Sequence, residues 1–156
     1  MDENQVIENL LTHLKNNGWD IISFVPAGIR GIDVVTCDKH NRKWYIEAKG
    51  GTSSNPNSSR YGKPYTKSQV FDVTSKGLMQ CFHHIANNDE DINVGFAYPG
   101  VRYFGDYMDP IKPMLRSIGV TLFCVNEDST VTESLAKNVA EQGASSDAIP
   151  SAARNH

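Results

Sequence analysis

Residues 28–37, Gly-Ile-Arg-Gly-Ile-Asp-Val-Val-Thr-Cys, and residues 43–49, Lys-Trp-Tyr-Ile-Glu-Ala-Lys, decide the reading of this chain. Both are short runs rich in β-branched and aromatic residues, and only the polar stretch Asp38-Lys39-His40-Asn41-Arg42 separates them, so the pattern predicts an antiparallel hairpin with strands over 32–37 and 43–49. A turn centred on His40 sets Asp33 opposite Glu47. Side chains alternate along a strand, so Lys49 projects from the same face as Glu47. A slip of one residue would send Asp33 to the other face and dissolve the group.

Two carboxylates facing each other across a ladder repel unless a cation lies between them. Mg²⁺ suits such a pair, since it takes one or two carboxylates and fills its shell with water and phosphate oxygens. Lys49 would then orient the attacking water or stabilise the charge that develops on the phosphate. Glu-x-Lys alone describes many solvent-facing strands with cross-strand ion pairs. Asp33 adds weight because its neighbours Ile32, Val34 and Val35 are apolar.

Working outward, Val6, Ile7, Leu10, Leu11 and Leu14 recur at helical spacing over 4–17, with Gly18 as a C-terminal cap. Trp19 to Val25, with Ile21, Ile22, Phe24 and Val25, reads as a strand closed by Pro26-Ala27-Gly28. Residues 50–64, GGTSSNPNSSRYGKP, carry no apolar periodicity and form a mobile loop on this reading. Thr66 and Gln69 fit a capping box that opens a helix to about Asn87, with Val70, Val73, Leu78, Cys81, Phe82 and Ile85 on its apolar face. A polar turn over 88–91, a strand over 92–98, a short helix over 111–118 and a strand over 120–125 follow. The order is helix, three strands, helix, strand, short helix, strand, which predicts an α/β fold with a central mixed sheet flanked by helices. Residues 1–126 form that domain. Residues 127–156, with Glu127, Asp128, Glu133, Glu141 and Asp147 against Lys137 and Arg154, read as an acidic, weakly ordered tail.

Asp33 with Glu47-Ala48-Lys49 resembles the PD-(D/E)xK, or restriction-endonuclease-like, nuclease superfamily over residues 4–125. The element order is similar too. Ile32 stands where that motif has its proline. The resemblance implies a restriction-endonuclease-like core, one or two Mg²⁺ ions held by the acids, with Mn²⁺ able to substitute, and metal-dependent endonuclease activity on DNA in a restriction, repair, recombination or mobile-element setting. It also raises Glu8, because enzymes similar to archaeal Holliday-junction resolvases bring a first-helix glutamate to the metal; an exposed helix glutamate favoured by the dipole is the other reading. Gln69 resembles a polar residue that some members carry on the helix after the lysine, and the capping box explains it equally well.

The formal charge is −3, yet between residues 39 and 67 stand Lys39, Arg42, Lys43, Lys49, Arg60, Lys63 and Lys67 against Glu47 alone. That window is a candidate phosphate-facing surface, with Lys43, Arg60, Lys63, Lys67 and Gln69 as its contacts, or an ordinary solvated hairpin and loop. Lys63 and Lys67 flank the second helix's start, where free N–H groups suit phosphate. Arg60 and Tyr61 offer a guanidinium and a stacking ring. His83 and His84 with Cys81 lack the second pair that zinc requires. Cys37, Cys81 and Cys124 fall in apolar segments and are expected as packed, reduced thiols. No run reaches the roughly 18 to 20 apolar residues of a membrane span and the amino terminus is acidic, so a cytoplasmic protein is expected. At 156 residues and without a base-reading module, the chain is expected to be a homodimer or to read DNA shape. A non-catalytic nucleic-acid-binding module of the same fold is the alternative function.

Overall fold

In the computed structural model, which describes residues 1–87 and 91–146, the hairpin forms in the register expected from its turn. Val34 pairs with Ile46, Val35 with Tyr45, Thr36 with Trp44 and Cys37 with Lys43, between β2 (Val34–Cys37) and β3 (Lys43–Ala48). Asp38 fixes that turn. Its carboxylate accepts from His40 N at 2.9 Å, from Arg42 N at 3.0 Å, from Arg42 Nε at 2.7 Å and from Trp44 Nε1 at 3.1 Å. Asn41 takes the left-handed backbone, φ 61°, that asparagine tolerates and the turn requires. With these bonds in place a slipped register would leave Asp38 buried and unsatisfied.

β1 (Asp20–Phe24) pairs antiparallel to β2 at the sheet edge. β3 pairs parallel to β4 (Asn93–Pro99), and β4 parallel to β5 (Val120–Val125). β6 (Val131–Ser134) closes the other edge antiparallel to β5, giving a mixed six-stranded sheet in sequential order. α1 (Glu3–Asn16) covers one face and buries Val6, Ile7, Leu10, Leu11 and Leu14 against Trp44, Ile46, Ala48, Ala97 and Phe123. α2 (Lys67–Ala86) and α3 (Phe104–Ser117) cover the other, against Val94, Phe96, Tyr98, Val120 and Leu122. The parity of strand residues is kept: even-numbered positions of β3 face α1, and odd ones face α2. The expected α/β fold, a mixed sheet flanked by helices, is therefore the observed one.

Two expectations change. α3 begins at Phe104, well before the expected Ile111, and runs through Pro110 and Pro113. Proline inside a helix costs about 3 kcal/mol, but Phe104, Met108 and Leu115 are wholly buried on one face, and that burial outweighs the lost hydrogen bonds. The expected weakly ordered tail contains β6 and α4 (Lys137–Ser146), and Ala136 and Val139 belong to the α1-side core. Small apolar residues there carry the packing, which composition alone undervalues. Residues 147–156 of that tail and residues 88–90 of the expected turn lie outside the described residues. The loop after Lys49 is tied across its base by Tyr65 N to Gly51 O at 2.8 Å and Gly62 N to Ser53 O at 3.2 Å. Among the described residues no helix is long and apolar enough to cross a membrane.

Candidate active site

Continuing the β2–β3 register by one residue puts Asp33 across from Glu47 at the carboxyl end of β3, on the α2 face of the sheet. Both are nearly solvent-free, with 7% and 5% exposure. Asp33 Oδ2 accepts the Ala48 N–H at 2.7 Å, so its side chain is held by the backbone it faces. The Asp33 carboxyl faces Glu47 across the ladder, near enough for the two to oppose each other's ionisation. Burial raises the Glu47 pKa above the ordinary carboxylate range, and the neighbouring Asp33 adds to that rise, while His84 and Lys49 oppose it. Lys49 Nζ donates to Ala48 O at 2.8 Å and stands 3.7 Å from Asp33 Oδ2. Asp33, Glu47 and Lys49 are thus brought together.

Two residues that the sequence reading did not place at this site, Glu3 and His84, join the group. Glu3 Oε2 is 3.7 Å from Lys49 Nζ, and burial raises its pKa, with Lys49 opposing and Asp33 adding. His84 Nε2 lies 2.7 Å from Glu47 Oε1, a hydrogen bond that ties the ring to the buried carboxyl. The His84 ring is steadied edge-on against Tyr45, with centroids 5.3 Å apart. Both carried a sequence signal. Asp2 and Gln5 form a capping box that starts α1 at Glu3. Thr74, Gly77, Cys81 and His84 continue the buried stripe of α2 at helical spacing, whereas Ile85, expected on that stripe, is exposed. Gly77 lets α2 approach the sheet: a Cβ there would collide with Phe96 and stand 3.0 Å from Lys49 Cγ.

The remaining expected contacts are dispersed. Glu8 is exposed and lines a separate depression with Gln5, Asn9 and Glu127. It follows Glu3 by five residues, roughly 140° around the helix, so α1 cannot present both to the sheet, and Glu3 is the first-helix acid that lies beside Lys49. Gln69 Oε1 accepts from Thr66 N at 2.9 Å and serves as the cap. Arg60 Nη2 donates to Pro64 O at 3.0 Å and staples the loop. Lys63 is exposed on that loop, and Lys67 lies 5.8 Å over the Tyr107 ring. Lys43 lies 5.5 Å over the Tyr45 ring, on the Glu47 face but at the turn end of β3, roughly 13 Å along the strand from Glu47. Among the described residues no group of three or more His, Cys, Asp or Glu is arranged to hold a metal. The oxygen donors on offer are therefore the Asp33–Glu47 pair, with water and phosphate oxygens to complete a shell.

No family model matches the sequence, and no curated protein does. Solved structures do match the fold. An fdxN element excision controlling factor protein from Anabaena variabilis aligns at a TM-score of 0.52 and 17% identity, covering 82% of this chain and 95% of its own. An XisH family protein from Nostoc punctiforme aligns at 0.51 and 16%, covering 83% and 95%. At these identities the likeness shows a shared fold.

Proposed function

We propose that this chain is a Mg²⁺-dependent nuclease of the PD-(D/E)xK kind, hydrolysing phosphodiester bonds of DNA with Asp33, Glu47 and Lys49. The observation that carries the reading is the pairing of two buried carboxyls across one ladder beside one ammonium, with Glu47 made reluctant to ionise. Side chains are seldom buried in that combination for stability, because like charges in a poorly solvated site oppose each other. An oxygen-only donor pair fits Mg²⁺, and Mn²⁺ accepts the same ligands. Asp33 and Glu47 would hold the ion, which when bound polarises the phosphate and lowers the pKa of a coordinated water. Ala48 N–H fixes Asp33, and His84 fixes Glu47, so both carboxylates meet the ion already oriented. Lys49 presents a fixed positive charge where negative charge grows on the phosphate.

DNA is the favoured substrate on two grounds. The basic window from Lys39 to Lys67 flanks the site in sequence, and one fold neighbour is named as a controlling factor for excision of an element. The test incubates the purified chain with supercoiled plasmid and with single-stranded circular DNA in Mg²⁺, Mn²⁺ or EDTA, beside Asp33→Ala and Glu47→Gln. Metal-dependent cleavage lost in both variants is expected. Salt-sensitive DNA binding without cleavage would replace this reading with a non-catalytic binding module.

A further inference from the structure

On the loop that follows Lys49 the chain builds a cavity of about 480 Å³ that the catalytic group does not line. Its walls include Tyr65, Val70 and Tyr103, and Lys67 and Arg102 stand at it with one acid, Glu127. It is coupled to the site through the backbone: Gly51, two residues after Lys49, donates to Met1 O at 2.9 Å and accepts from Tyr65 N at 2.8 Å. Burial raises the Tyr65 phenol pKa, Glu3 adds to the rise and Lys49 opposes it. Arg102 lies 4.5 Å over the Tyr103 ring, so a guanidinium plane and an aromatic ring are already stacked at the cavity.

Tyr103 has a left-handed backbone, φ 72°, at the start of α3, where its side chain makes no capping hydrogen bond. A bulky residue rarely adopts that conformation. Its neighbour Phe104 is wholly buried and anchors the turn. The cavity thus combines aromatic and apolar walls with two cations, at a volume within the usual range for small-ligand pockets. Apolar ligands of that size need no cations, and inorganic phosphate needs no aromatic walls. A nucleotide uses both, stacking its base on a ring or guanidinium plane and placing its phosphate against the cations.

We propose that this cavity receives one unpaired nucleotide of a DNA strand, adjacent to the phosphate at the Asp33–Glu47 site, with its base stacked on Tyr103 and Arg102 and its phosphate facing Lys67. A base enters such a space only when unstacked from its neighbours, so the preferred substrate is single-stranded or locally opened DNA. The choice of adjacent phosphate rests on the nuclease reading; the binding itself does not.

The experiment uses the full chain in EDTA with a single-stranded oligonucleotide carrying one 5-iodo-deoxyuridine, irradiated and mapped by mass spectrometry. Adducts on Tyr103 or Tyr65 are expected. In parallel, quenching of a 2-aminopurine oligonucleotide is followed for Tyr103→Gly, whose backbone accepts the positive φ, for Tyr103→Phe and for Arg102→Gln. Tyr103→Gly should weaken binding roughly tenfold or more and Tyr103→Phe should retain it, as loss of one base–aromatic stack implies. Adducts confined to other residues, unchanged binding in Tyr103→Gly and Arg102→Gln, or no DNA binding at all would overturn the proposal. Adducts on Tyr103 from a chain that never cleaves plasmid would keep the pocket and remove the nuclease; cleavage with adducts elsewhere would do the reverse.

Discussion

Replacing Gly77 by alanine sets two effects against each other in the middle of α2. Helix propensity alone favours alanine by about 1 kcal/mol. Overpacking a filled core costs about 1–3 kcal/mol, and at this position the new methyl would collide with the Phe96 ring and press on Lys49 Cγ at 3.0 Å. Phe96 is wholly buried and stacks on Tyr98 at 5.8 Å, so it has nowhere to swing. The steric effect should win, leaving a net loss of up to about 2 kcal/mol, a fall in Tm of up to about 8 °C for a chain of this size. Because the clash reaches Lys49, cleavage should fall as well, by about tenfold or more at a temperature where the variant is fully folded, since small misplacements in a catalytic group are costly. Thermal and urea denaturation measure the first effect, and plasmid nicking at matched folded fraction measures the second. A Gly77→Ala variant more stable than the parent, by the margin that helix propensity alone would give, would refute the close packing of α2 on β4; normal cleavage would refute the coupling to Lys49.

Other expectations follow from the same geometry. The Glu47 pKa is raised in the folded chain, so the stability linked to its protonated form is present below the ordinary carboxylate range and is lost as pH rises through the folded value. Glu47→Gln should therefore gain on the parent in EDTA as pH rises from about 4 to 8; a constant difference in Tm across that range would count against the buried acid pair. His84→Ala should weaken Mn²⁺ or Mg²⁺ binding, read by calorimetry without DNA, by about 10–100-fold as loss of a ligand-orienting partner does, and His84→Asn should recover part of it; unchanged affinity would make the Glu47 hydrogen bond incidental. Ending the chain at Asn126 strips β6 from β5 and uncovers the core beneath Ala136 and Val139, whose Val139 alone is worth about 1.5–3 kcal/mol of burial. The shortened chain should aggregate or melt well below the parent, and an unchanged Tm would show the expected boundary at residue 126 to be the right one.

The local chemistry of the hairpin was legible because it is local. Asp38 and Asn41 close a turn that admits one register, and the two-residue period of a strand then carries Asp33 and Glu47 to the same face with Lys49 beyond. The capping box at Thr66 likewise depends only on residues three apart. The same kind of signal at Asp2 and Gln5 would have started α1 at Glu3, which would have put Glu3, and not Glu8, in view.

What tertiary structure decided lies between elements distant in sequence. Nothing near Glu47 announces His84, thirty-seven residues on, because their contact depends on how deeply α2 settles at Gly77. α3 runs through two prolines because Phe104 and Met108 find a core that only the assembled sheet supplies. β6 and α4 are ordered because β5 offers an edge and Trp44 and Phe123 offer a surface. Local spacing sets which side chains share a face of one element; packing across the sheet sets which faces meet, and in this protein it brings the acids of the hairpin to Glu3 and His84.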